Sequence, residues 1–90
     1  MTLLILERVP ASLRGELTRW LLEPRTGVFL GRVTAAVREK LWERVCHHAG
    51  DGSAVLVYGT DNEQGFAFRI WGDPSREIVD FDGLSLVRIR

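Results

Sequence analysis

Ninety residues, with twelve basic and twelve acidic side chains, make one neutral domain that is too short for a second core. Zero net charge excludes a general polycation and leaves any nucleic-acid contact to local groups. A single cysteine, Cys46, excludes an internal disulfide, and a hydrophobic content of 46% predicts a surface that finishes its burial against a second chain.

The run Leu3-Leu4-Ile5-Leu6 is apolar at every position, the pattern of a strand buried on both faces. It ends on Glu7 and Arg8. Pro10 then precedes a helix expected over Ala11 to Glu23, with Leu13, Leu17, Trp20 and Leu21 as its apolar stripe and Pro24 as its stop. Gly27 to Gly31 reads as a short strand between glycines. Thr34 caps a second expected helix that runs to about His48, with a stripe of Val37, Leu41, Trp42 and Val45. Ala49-Gly50-Asp51-Gly52 stops it. Ser53 to Tyr58 is another strand apolar on both faces.

Gly59 to Gln64 is a polar turn. Gly65 to Trp71 alternates, with Phe66, Phe68 and Ile70 on one face and Ala67, Arg69 and Trp71 on the other. Gly72 to Glu77 is a loop. Ile78 to Phe81 and Leu84 to Ile89 form a hairpin closed by Asp82-Gly83, a tight-turn dipeptide. The expected order is β-α-β-α-β-β with an extra hairpin. Two helices cover one face of a small sheet and nothing remains for the other. A second copy packed sheet to sheet about a two-fold axis is the economical cover.

Few residues offer chemistry. Period two places Glu7 on the face of Leu3 and Ile5, so two Glu7 side chains would approach across a dimer axis. Such a pair would hold a divalent cation, with water as nucleophile on a phosphodiester; the plain alternative is a solvated carboxylate beside Arg8. Arg14, near the start of the first helix, suits a phosphate contact or ordinary solvation. Eleven of the twelve basic residues are Arg, which favours forked contacts to phosphate but also follows from biased genomic composition. His47 and His48 are adjacent and point about 100° apart, so they read as partners of a helix C-terminus and not as a metal pair. The sequence has no Cys/His ligand cluster, phosphate-cradling loop, nucleophile elbow, dinucleotide fingerprint or RNP-type aromatic motif. No apolar run reaches the roughly 20 residues that span a bilayer, and the start lacks a basic leader, so a cytoplasmic protein without a membrane partner is expected.

The stretch ERVPASLRGELTRWLLEPRTGVFLGRVTAAVREKLWE resembles the first half of CRISPR-associated protein 2 of the type I-E subtype. Its marks are E-x-V-P-x-x-L-R-G, W-L-L-E, and G-V-(F/Y)-(L/V)-G. The second half, TDNEQGFAFRIWGDPSREIVDFDGLSLV, is similar to the T-x-x-E-x-G-F stretch and the V-D-(F/L)-D-G-L-x-L-V ending. The resemblance covers nearly the whole chain.

It implies an α+β, ferredoxin-like two-layer sandwich over residues 1–90, with an antiparallel sheet, two helices on one face, a C-terminal hairpin and a homodimer packed sheet to sheet. It implies a subunit of the spacer-acquisition integrase, bridging dimers of CRISPR-associated protein 1 and carrying duplex prespacer DNA. Arg14 and Arg76 would contact backbone phosphate. Ser12 and Ser75 stand where the subtype often has a basic residue, which halves the expected charge at both contacts; Arg8 is placed to compensate. Glu63 and Asp82 match acidic positions facing the integrase subunit. Ile78, Val79, Leu84, Leu86 and Val87 fall in the segment, 78–90, that docks on it. The family is also described as magnesium-dependent nucleases acting on RNA or DNA, which would use Glu7, although in this subtype the carboxylate is thought unnecessary for adaptation. A third reading from the residues is a ferredoxin-like regulatory domain with a small-molecule pocket at the dimer seam.

Overall fold

The computed structural model describes all 90 residues. Nine elements follow in order: β1 (Thr2–Glu7), α1 (Ala11–Leu17), β2 (Leu22–Arg25), β3 (Val28–Gly31), α2 (Ala35–His48), β4 (Ser53–Gly59), β5 (Phe66–Trp71), β6 (Arg76–Phe81) and β7 (Leu84–Ile89). The first five strands form one sheet in the order β2-β3-β1-β4-β5, with every neighbouring pair antiparallel. Its four strands β1 to β4, interleaved with α1 and α2 and ordered 2-3-1-4, are the ferredoxin-like arrangement. β5 extends the β4 edge, and β6 and β7 form a separate two-stranded arm.

Helix α1 is shorter than its stripe predicts. It ends at Leu17, not at Glu23. Gly15 weakens its middle, and the Thr18 hydroxyl donates to the Gly15 carbonyl at 2.6 Å, drawing the backbone out of register. Residues 18–21 continue as a turn, with the Leu21 N–H donating to the Leu17 carbonyl at 3.0 Å. Leu21 therefore still reaches the core, whereas Trp20 is 53% exposed and leaves the predicted stripe. The chain released after Leu21 becomes β2, a strand the hydrophobic pattern does not announce. Pro24 is tolerated there because β2 lies at the sheet edge.

Gly27 makes the β2–β3 turn. Its φ is +81°, and a Cβ there would collide with the Leu6 carbonyl oxygen. The Gly27 N–H donates to Glu23 Oε2 at 2.9 Å, and its carbonyl accepts from the Leu6 N–H at 2.7 Å. Helix α2 starts as expected: Thr34 Oγ1 accepts from the Val37 N–H at 3.2 Å.

The core lies between the helices and one face of the sheet. Leu4, Leu6, Phe29, Ala54 and Leu56 from the strands meet Leu13, Leu17 and Leu21 from the α1 segment and Leu41 and Val45 from α2. Farther along this face, the Arg38 guanidinium stacks 3.7 Å above the Tyr58 ring, and Arg69 Nη1 donates to Glu39 Oε1 at 2.6 Å. These charges hold Glu39 below its ordinary range, the hydrogen bond from Arg69 first.

The opposite face has no helix. Strand register lays two apolar rows across it. One joins Leu30, Leu3, Val57 and Phe68; the other joins Val28, Ile5, Val55 and Ile70. All eight are half-buried in a single chain. Only 14 of the 90 residues are buried, so much of the apolar content remains on this face and on the arm.

Candidate nucleic-acid and partner interfaces

Two regions carry the residues singled out by sequence. The first lies at the carboxyl end of β1. Glu7 pairs with Ser53 across β1 and β4 and is exposed on the open face. It lines a cleft with Ile5, Ser53, Val55, Ile70, Asp73 and Arg76. Arg8 follows with φ +56°, a left-handed conformation unusual for a residue with a side chain. Gly52 packs beneath this bend, where a Cβ would strike the Arg8 carbonyl oxygen at 2.8 Å.

Asp73 organises the cleft. Its Oδ1 accepts from the Ser75 N–H at 3.0 Å and from the Ser75 hydroxyl. Its Oδ2 lies 3.5 Å from Arg76 Nε. The Ser75 bonds, with the charges of Arg76 and Arg8, hold the Asp73 carboxyl below its ordinary range. One carboxylate thus holds Ser75 and Arg76 beside Glu7. The sequence reading passes over Asp73, but the Asp-Pro-Ser order was its signal, since an aspartate before proline commonly bonds the backbone two residues on. Ser75 spends its hydroxyl on Asp73.

Arg14 and Ser12 are not part of this gathering. Ser12 is exposed on α1, and Arg14 Nη1 lies 3.9 Å from Glu23 Oε2. That loose pairing leaves the guanidinium available to a phosphate.

Metal chemistry has limited means in one chain. No group of three or more His, Cys, Asp or Glu side chains is placed to hold an ion. Glu7 is a free carboxylate, but Asp73 is already committed to Ser75 and the arginines. Magnesium is usually held by one or two carboxylates and several waters. A single chain offers Glu7 alone to such a set, and the Glu7 of a second copy would offer a further carboxylate.

The second region is the arm. Asp82 and Gly83 both have positive φ, +51° and +82°, as a two-residue hairpin turn of this kind requires. Phe81 pairs with Leu84, Ile78 with Val87 and Val79 with Leu86. Glu77 accepts hydrogen bonds from both Arg88 and Arg90 and is held below its ordinary range, by Arg90 first. Ile78, Phe81, Leu84, Leu86, Val87 and Ile89 are all exposed, and Val79 is half-buried. Glu63, also exposed, lies in the 60–65 loop, which is bonded to β7.

The chain as a whole can now be compared with known families. A family model described as CRISPR-associated protein (Cas_Cas2CT1978) matches residues 1–86. The chain belongs to the CRISPR-associated protein 2 family. The match runs from β1 into the first half of β7, so the cleft at the end of β1 and the arm as far as Leu86 lie within what the family model describes. Family membership supports a role associated with CRISPR. No helix is long and apolar enough to cross a membrane.

Proposed function

We propose that this chain is the homodimeric, duplex-binding subunit of a type I-E spacer-acquisition integrase. In this reading two copies pack their open sheet faces together. Arg8, Arg14 and Arg76 hold prespacer DNA by its backbone phosphates. The arms, with Glu63 and Asp82 nearby, dock on integrase dimers of CRISPR-associated protein 1. The observation that carries the proposal is the arm. It stands apart from the five-stranded sheet and presents six exposed large apolar residues. An isolated two-stranded hairpin is marginal in water, so such a surface suits an element completed by a partner.

The test mixes the chain with the matching integrase subunit and a prespacer duplex and measures the mass of the complex. Removal of residues 83–90 should abolish integrase association while leaving the chain-to-chain dimer; loss of the dimer with retained association would refute the proposal. Arg14→Ala and Arg76→Ala should weaken duplex binding about equally for all sequences, each lowering the salt dependence by about one phosphate contact. Phosphate contacts position a duplex without reading bases. A loss confined to particular sequences would rule out the backbone-contact assignment.

The exposure of Glu7 in a cleft beside Arg76 supports a second reading, a magnesium-dependent nuclease with one Glu7 from each copy. Glu7→Ala separates the two. Loss of cleavage by rigorously purified protein with spacer acquisition intact would assign Glu7 to hydrolysis alone. Loss of acquisition from a complex that still assembles would defeat the scaffold reading.

A further inference from the structure

One side chain hydrogen-bonds the arm to the chain before Gly72. Gln64 lies in the loop between β4 and β5, next to Glu63. Its Nε2 donates to the Ser85 carbonyl oxygen at 2.9 Å, and its Oε1 accepts from the Ser85 N–H at 2.9 Å. Both bonds are partly buried. No other hydrogen bond or ion pair links residues 1–71 to residues 76–90.

Strand register explains why Ser85 is free to accept this tie. Phe81 and Leu84 close a two-residue turn and exchange the first hydrogen bonds of the hairpin. Alternation then turns the Ser85 N–H and C=O away from β6. Gln64 meets them with an acceptor and a donor, as a residue of a neighbouring strand would. The chain connection bends at Gly72, whose φ is +78°.

We propose that Gln64 is a positioning residue, a one-residue substitute strand that latches β7 to the β4–β5 loop and sets the angle at which the arm meets its partner. The inference rests on the arm being the docking element of the preceding section. It fixes Glu63 relative to Asp82, which lies three residues before Ser85. Preorganisation of this kind acts on association: when only a fraction of molecules holds the competent arm orientation, apparent affinity falls by that fraction.

The experiment uses the full chain with Gln64→Ala and Gln64→Glu. At neutral pH the introduced carboxylate keeps the acceptor, loses the donor and repels the Ser85 carbonyl, so both variants should behave alike. In the isolated chain, Ser85 amide exchange should accelerate on the order of tenfold. Residual dipolar couplings of β6 and β7 should no longer share the alignment of the sheet, while cross-strand contacts between Ile78 and Val87 persist. Binding to the integrase dimer should show a several-fold lower association rate with little change in dissociation. Unchanged exchange and alignment would overturn the latch. A loosened arm with an unchanged association rate would overturn its positioning role. If the chain lacking residues 83–90 still binds the integrase dimer fully, the docking reading fails instead, and the exchange data on the isolated chain keep that failure distinct.

Discussion

Arg8, a proposed phosphate contact, stands at a strained position of the fold. Its positive φ costs on the order of 1 kcal/mol for a residue with a Cβ. The bend turns the chain from β1 toward Pro10. Arg8→Gly should relieve the strain and raise unfolding free energy by up to about 1 kcal/mol, while weakening duplex binding; denaturant titration and a salt-dependent binding series measure the two. A variant that loses stability would show that the Arg8 side chain supports the fold. Glu77 makes the parallel case in the arm. Its carboxyl lies below its ordinary range because Arg90 and Arg88 favour the charged form. A lowered carboxyl contributes stability that is present above the unfolded value and lost as pH falls through the folded one. Protection factors of the β6 and β7 amides, taken relative to their intrinsic exchange at each pH, should therefore fall as pH drops below about 4, the ordinary glutamate range. Glu77→Gln should remove that part of the pH response.

At the scale of elements, the informative departure is α1. The stripe Leu13, Leu17, Leu21 has helical spacing and all three residues are buried, yet the helix stops after seven residues. The stripe records which side chains face the core, and a turn can satisfy it as well as a helix. Gly15 and Thr18 decided between the two, through backbone entropy and a competing hydrogen bond. The missed strand β2 followed from the same error. Its sequence, Leu-Glu-Pro-Arg, lacks strand character, and it pairs because Gly27 folds it back onto β3. Gly27→Ala tests that turn. Strained φ and the clash with the Leu6 carbonyl should cost about 2 kcal/mol or more, read as a lower denaturant midpoint with an unchanged slope. The arm, by contrast, was legible in outline: the turn falls at Asp82-Gly83 as expected, but β6 starts at Arg76, within the last two residues of the stretch read as a loop, because Arg76 and Glu77 pair with Ile89 and Arg88.

At the scale of the whole molecule, the open sheet face is the surface proposed to meet a second copy. Val57 sits between Leu3 and Phe68, at the middle of one apolar row. Val57→Asp places a charge where two copies would meet. Sedimentation should report a monomer while circular dichroism stays that of the parent chain. A variant that remains dimeric and folded would remove this face from the interface. Leu4→Asp is the useful contrast, because Leu4 faces the helices at 1% exposure; a buried unpaired charge there should unfold the chain itself.

Local pattern alone determined much of this protein: that Leu3 and Ile5 share one face of β1 and Leu4 and Leu6 the other, the cap at Thr34, the turn at Asp82-Gly83, and the run of motifs that belongs to its family. Each depends on residues a few positions apart, where sterics and periodicity act without knowledge of the rest of the chain. Tertiary structure decided the others. It made an edge strand of residues 22–25, brought Asp73 and Arg76 beside Glu7, and joined Gln64 to Ser85. Those outcomes arise from hydrogen bonds and charges between segments distant in sequence, and such partners exist only once the chain has closed on itself.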